Sequence, residues 1–379
     1  MIRRRNVLLA APGAVAALAD GARAQARGGD LVYVTQGTPQ TLDAILSSDQ
    51  GTRNINLHLY EMLISRDERG APAPDLATGF ERSDDGLTYT FTLRQGVHFH
   101  NGQEMTADDV KASFERYKQI GLDRASLALM TSVKATGKYT VTVRLSQRMP
   151  SFIEAISSPR APFVIIPKDE AAKPAGKITP IGTGPFQLVD YVADSHAKLK
   201  RFDGYSPNTA YNGTDGFAGR KVVSVDTVTF RFVPEANARV ASLETGESHF
   251  IEQIPNRAAQ RLKSNPDIRI ITLMPWSMEA LILNAGYGAT AKLEVRRAIQ
   301  AALDVEQILT IATDGVFRLD HGFNYPESQI GQAISARNCI TRRIPIWRSS
   351  SSSKPTTTAR KSLPSPTPRR SSATPRGSC

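Results

Sequence analysis

Cysteine is almost missing from this chain of 379 residues: Cys339 and Cys379 are the only two, and both lie near the C-terminal end. The long body before them can build neither a disulfide scaffold nor a Cys-ligated metal domain, so its stability has to come from packing. Tryptophan is as scarce, with Trp276 the sole one in that body. The apolar run near the N-terminus, Val7 to Ala19, is broken by Pro12 and Gly13 and is too short to span a membrane. Also missing are Gly-x-Ser-x-Gly, His-Glu-x-x-His and a complete phosphate loop. Their absence removes the recognisable signatures of serine hydrolases, zinc peptidases and P-loop NTPases.

Acid is missing from one segment altogether. Residues 339–379 hold nine Lys/Arg and no Asp or Glu, and so carry +9 of the net +11. Residues 1–26 carry +3, from Arg3, Arg4, Arg5 and Arg23 against Asp20, which leaves −1 for the body. Net charge therefore gives the body no reason to seek nucleic acid or a membrane surface. The N-terminus reads as an export signal: three arginines, a short apolar run, then the small residues of Ala22–Ala26 for cleavage. Arg4-Arg5-Asn6-Val7-Leu8 fits a twin-arginine signal about as well as a general secretory one. With no cysteine behind the signal, the expectation is a soluble protein of the periplasm without a lipid anchor.

The body mixes strands and helices. A strand starts at Leu31 and breaks at Gly37. Asp85-Gly86 signals a hairpin turn, after which Leu87, Tyr89, Phe91 and Leu93 alternate with threonines as a half-buried strand. Asn101-Gly102 marks a second turn. Thr106 then caps a helix with Asp109 in the capping-box position and Val110, Phe114 and Tyr117 on its apolar face. Further strands run through Tyr139–Leu145 and Val228–Phe232, and a helix from about Ala236 to Thr245 stops at Gly246. A helix around Leu293–Leu303 is expected to bury Val295, Ala298, Ile299 and Ala302, and Asp304 with Gln307 caps another through Leu309. There is no strict βαβ alternation, so the fold class is α+β.

Candidate chemistry is thin. In "PIGTGPFQL", Pro180 to Leu188, two glycines flank Thr183, but Pro185 removes an N–H and no Lys-Ser/Thr pair follows, so a Gly-Pro turn is expected over a phosphate loop. His98 and His100 would face the same side of a strand and could share a metal, but no third ligand is near. Asp84-Asp85 and Asp108-Asp109 are accounted for as turn and helix-start residues. Trp276, between Pro275 and Ser277, belongs either to the core or to a pocket wall.

Several blocks occur in a fixed order: Leu42-Asp43 with "LYEMLISRD", the long stretch "PAPDLATGFERSDDGLTYTFTLRQGVHFHNGQEMTADDVKASFER", "PIGTGPFQL", "PEANARVASLETGE" and "LEVRRAIQAALDVEQIL". Together they resemble the extracellular solute-binding proteins of family 5, the peptide, nickel and opine class that feeds ABC importers. The resemblance covers about residues 30–325. It departs from the family at Ala44 after Asp43, at "FDGYS" without its usual Trp, and at His249 where an Asp commonly follows Gly-Glu.

The resemblance implies a non-enzymatic, α+β, type II periplasmic-binding-protein fold whose two lobes close on a solute. Residues 27–56 with 179–271 would form the core of the first lobe, 57–178 its inserted subdomain, and 272–338 a partial second lobe. Ligand contacts would fall at Gln36, Gly37 and Thr38, at Trp276 and Asn284, and at Phe250 and Glu252. The loop Gln36–Thr38 would offer backbone groups to a peptide, as in strand addition; an ordinary Gly turn is the other reading of it. The partners implied are a peptide or small organic solute and the permease subunits of an importer, with no cofactor, no metal and no nucleic acid, on a chain expected to be monomeric. The rival from another class is an exported hydrolase, which needs a nucleophile and base within reach. After Cys339 the chain turns to Ser, Thr, Pro and Arg. That composition fits a frameshifted end, or else a disordered basic tail. A frameshift would leave the second lobe incomplete and make a binding-defective product.

Overall fold

The computed structural model describes residues 28–273 and 280–319. The expected export signal, Trp276 and the basic tail lie outside them. The chain falls into two compact units, Met1–Ile254 and Pro255–Cys379.

In chain order the first unit contributes strands β1 (Asp30–Thr35), β2 (Ala77–Arg82), β3 (Thr88–Leu93), β4 (Met130–Gly137) and β5 (Thr140–Leu145). They are followed by β6 (Phe186–Val192), β7 (His196–Arg201), β8 (Thr227–Phe232) and β9 (Phe250–Ile251). Its longer helices are α1 (Gln50–Leu59), α2 (Ala107–Ile120) and α3 (Ala236–Glu244). One sheet has the order β9-β1-β8-β7-β6, with β1 parallel to both β8 and β9 and the β8-β7-β6 part antiparallel. The other, β2-β3-β5-β4, is antiparallel throughout. The mixture is the α+β class expected from the lack of strict alternation.

The alternating patterns place their apolar sides inward. Tyr89, Phe91 and Leu93 of β3, and Val141, Val143 and Leu145 of β5, are all buried. Helix α2 lays Val110, Phe114 and Tyr117 into the same core, with Phe114 4.3 Å from the ring of Phe163. Its capping box is present: the Thr106 N–H donates to Asp109 Oδ2 at 2.8 Å. The other oxygen, Oδ1, accepts the Lys168 N–H at 2.9 Å. The box closes around Asp109 in place of the more usual Glu, and Asp109 also ties the following segment to the helix. Asp43 is buried and pairs with the buried Arg116, and it also accepts from the Gly176 N–H at 3.1 Å.

The turn Pro180–Phe186 is packed from every side. The Gly184 N–H donates to Leu59 O at 3.0 Å, and the Gly182 N–H donates to His100 Nδ1 at 3.2 Å. A Cβ on Gly182 would lie 2.1 Å from Leu59 O, and one on Gly184 2.5 Å from His58 O. Close approach, not an unusual φ, demands glycine at both positions. Thr183 is 1 % exposed and donates to Glu61 Oε2 at 3.0 Å. With the Gly182 and Gly184 N–H groups both spent inside the protein, the sequence expectation of a structural turn stands.

The second unit holds α4 (Asn256–Leu262), α5 (Leu293–Ala302) and α6 (Val305–Ala312). Asp304 caps α6 by accepting from the Gln307 N–H at 3.1 Å, and the helix runs three residues past the expected end at Leu309. The expected burial on α5 is not found: Val295 and Ile299 are half-buried, Ala298 and Ala302 exposed, and no residue of α5 or α6 is buried. The pattern is amphipathic, but among the described residues nothing in this unit covers its apolar side.

Candidate functional site

Helix and strand ends converge at one end of the five-stranded sheet. Strand β1 finishes at Thr35, and the loop Gln36-Gly37-Thr38 leaves it with Gln36 and Gly37 exposed. Nothing lies within 4 Å of where a Gly37 Cβ would be, so the loop faces open space. On one side β9 runs parallel to β1 in the register Tyr33↔Phe250 and Val34↔Ile251. Phe250 stacks on Tyr33 with ring centroids 4.7 Å apart and remains 42 % exposed. His249 helps tie β9 to β1. Its Nδ1 accepts from the Val32 N–H at 3.0 Å, while its own N–H donates to Val32 O at 3.0 Å.

Glu252 follows β9 and collects four donors: Thr35 Oγ1, Tyr33 OH at 2.8 Å, Gln50 Nε2 at 3.0 Å and Asn54 Nδ2 at 3.1 Å. Tyr33, Gln50 and Asn54 share Oε2 while Thr35 alone meets Oε1, so Oε1 keeps room for one more donor. Burial, reinforced by the Glu252 charge, pushes the Tyr33 phenol well above its ordinary range, so Tyr33 stays a donor. On the other side the β6–β7 hairpin reaches the loop. Thr38 Oγ1 donates to Asp194 Oδ1 at 2.7 Å, and Tyr191 OH donates to Pro39 O at 3.4 Å.

Of the seven residues singled out from sequence, the structure brings five together: Gln36, Gly37, Thr38, Phe250 and Glu252. Asn284 belongs to the second unit, where its Oδ1 accepts from the Gly286 N–H at 2.8 Å and its carbonyl from Thr290 Oγ1 at 2.6 Å. Trp276 lies outside the described residues. Sequence reasoning missed Gln50, Asn54 and Asp194. Asp194 had a signal, since a polar residue between two alternating strands marks a hairpin, and its φ of 59° is one that Asp tolerates. Gln50 and Asn54 had none, because their role depends on a carboxylate some 200 residues away in sequence.

Other chemistry sits elsewhere. Among the described residues no cluster of three metal-ligating side chains forms around His98 and His100; the stretch is a pair of turns with one bridge, His98↔Glu104, and not a continuous strand. The His100 ring is spent on the Gly182 turn, Nδ1 accepting and Nε2 donating to Gly184 O at 3.1 Å. That pair of bonds requires the neutral ring, and burial holds the His100 pKa below its ordinary value. Ser195 Oγ lies 3.0 Å from His196 Nδ1, and His196 Nε2 lies 3.0 Å from Asp190 Oδ2. This line has the connectivity of a nucleophile, base and acid. It lies on an exposed hairpin turn and works as a staple of β6 to β7. A 410 Å³ cavity in the first unit is at the opposite strand ends, beside Arg201, Tyr205, Lys221 and Asp226.

The model of the bacterial extracellular solute-binding proteins, family 5, matches residues 71–337. The chain belongs to that family. Relatives include the oligopeptide-binding protein AppA of Bacillus subtilis, 29% identical over 303 residues, and the glutathione-binding protein GsiB of Escherichia coli K12, 28% over 293. Each alignment takes 76% of this chain and 52% or 54% of the relative, so the chain spans about half the length of these family-5 proteins. Among solved structures, the binding protein AgaA of A. tumefaciens R10 with agropinic acid aligns at a TM-score of 0.67 and 26% identity. That alignment covers 82% of this chain and 61% of AgaA. AppA in complex with a nonapeptide gives 0.60 and 26%, over 80% and 60%. Over the matched part the fold is the type II periplasmic-binding-protein fold.

Proposed function

We propose that this family-5 chain is a solute receptor of an ABC importer, taking peptides or similar small organic solutes in the periplasm and passing them to the permease subunits. The observation that carries the reading is the open rim at Gln36-Gly37-Thr38, flanked by the β9 end and by Asp194, on a frame shared with binding proteins for peptides and agropinic acid. A peptide laid along this rim would meet main-chain N–H and C=O groups of the loop, with Phe250 as an apolar wall. On this reading residues 27–56 and 179–271 form the first lobe's core, 57–178 its inserted subdomain and 272–338 a partial second lobe, with Trp276 and Asn284 among the candidate ligand contacts. The chain acts as a monomer released from the export segment 1–26.

The test is calorimetric titration of the full chain with glutathione, a nonapeptide and agropinic acid. Micromolar binding of one of them that Gly37→Val weakens about tenfold, with an unchanged circular dichroism spectrum, supports the reading. Turnover of ester or peptide substrates with no binding of any probe overturns it.

A further inference from the structure

We infer that Arg239 is a positioning residue of the proposed site, holding the ends of β8 and β9 in one frame; the inference rests on the receptor reading above. Arg239 lies on α3 and is 2 % exposed. Its guanidinium spends every nitrogen on backbone carbonyls. Nη1 donates to Val233 O at 2.9 Å and Pro234 O at 2.7 Å, Nη2 to Gln253 O at 2.9 Å and Nε to Glu252 O at 3.3 Å. Two of these acceptors leave β8 and two leave β9, so one planar group ties the outgoing ends of two strands that are not neighbours in the sheet.

Residues 252 and 253 are held from both sides. Behind them is Arg239; in front, the Glu252 side chain gathers Tyr33 and Thr35 of β1 with Gln50 and Asn54 of α1. Gln253 sits at φ 53°, and its side chain donates to Gln50 Oε1 at 3.0 Å. A left-handed non-glycine residue persists when its surroundings over-determine it, and here the determinants are the carbonyl clamp and the Gln50 contact. Thr35 is the last residue before the loop Gln36–Thr38. Arg239 therefore acts on the rim through Glu252 and Thr35 without touching it.

The planar fork is the working feature, since an ammonium has three donors on a single point and cannot span both strand ends. The experiment is amide hydrogen exchange on the full chain without solute, comparing wild type with Arg239→Lys, Arg239→Gln and Glu252→Leu. Arg239→Lys, which keeps charge and stem, is expected to fold and to speed exchange about tenfold in 33–38 and 250–254, with β3 and β5 unchanged. Glu252→Leu is expected to loosen 33–38 to the same degree. Wild-type exchange in Arg239→Lys would show that charge alone suffices, and equal acceleration in both sheets would show a general structural role; either result overturns the inference. Because no solute enters the measurement, the exchange pattern tests the frame that Arg239 holds and the titrations test the receptor reading, so the failure of one is told apart from the failure of the other.

Discussion

Replacing Lys221 by Met tests the strongest electrostatic assembly in the first unit. Lys221 Nζ lies 3.0 Å from Glu61 Oε1 and 3.4 Å from Asp75 Oδ2. The two carboxylate side chains are each 1% exposed and Lys221 21%. Glu61 also accepts from Tyr205 OH at 3.0 Å and from Thr183 in the Gly-Pro turn. One ammonium thus serves two buried acids. Burial pushes the Asp75 carboxyl up from 3.8 to about 6, with Glu61 adding to the rise and Lys221 opposing it. Each pKa step is worth about 1.4 kcal/mol, so ionised Asp75 costs the fold roughly 3 kcal/mol above pH 6 even with Lys221 present. A raised acid is stabilising below its unfolded pKa and loses that contribution as pH rises through about 6. Removing one partner of a buried pair costs about 3–5 kcal/mol, and the partial exposure of Lys221 favours the lower figure at pH 7.5. At pH 5 Asp75 is protonated in both proteins, and the loss should shrink to about 1–2 kcal/mol. Urea unfolding followed by far-ultraviolet circular dichroism reads both values. A loss that is equal at the two pH values, or greater at pH 5, refutes the role assigned to the triad.

Gly184→Ala must push its methyl group against His58 O, so the turn has to open; a loss of about 3 kcal/mol is expected, read as a lowered thermal midpoint. His58 and His100 are both held below the ordinary histidine pKa, chiefly by burial. The unfolded chain then takes up protons that the native state refuses, so stability should fall as pH drops below about 6.5, by up to about 1.4 kcal/mol per pH unit per histidine. Asp75 offsets part of this below about 6, and a thermal midpoint that does not move between pH 7 and 6 would contradict the assignment. Residues 28–254 expressed alone should keep the full chain's urea midpoint, since among the described residues Leu262 is the one buried apolar residue that lies beyond them. The same fragment should bind far less of an apolar dye, because Leu281, Ile282 and Ile311 of the second unit are 66, 86 and 74 % exposed.

What could be read from the sequence was what is decided locally. Strand alternation in 87–93 and 139–145, the Asp85-Gly86 and Asn101-Gly102 turns and the Thr106 cap each depend on a few neighbouring residues, and each is found. The loop Gln36–Thr38 was legible as the end of a strand, and its chemistry was legible only through family resemblance. The expected burial on α5 failed for the opposite reason. An amphipathic pattern states which side a helix would bury and says nothing of whether a neighbour exists to bury it.

The parts of the site that escaped the sequence share one cause. Glu252 is defined by Tyr33, Thr35, Gln50 and Asn54, Thr38 by Asp194, and Arg239 by carbonyls at 233, 234, 252 and 253. Apart from Asp194, which its hairpin position marks, none of these partners is marked by spacing or residue type, because a buried polar group is placed by topology, and topology brings β9 beside β1 across more than 200 residues. Arg239 makes the point most sharply. In sequence it is one of many arginines and nothing singles it out; in the fold it is 2 % exposed and spends Nε, Nη1 and Nη2 on main-chain carbonyls. A polar side chain that holds two strand ends at once can be read only after the strands are placed, and that is why the rim's supports had to be found in the structure while the rim itself did not.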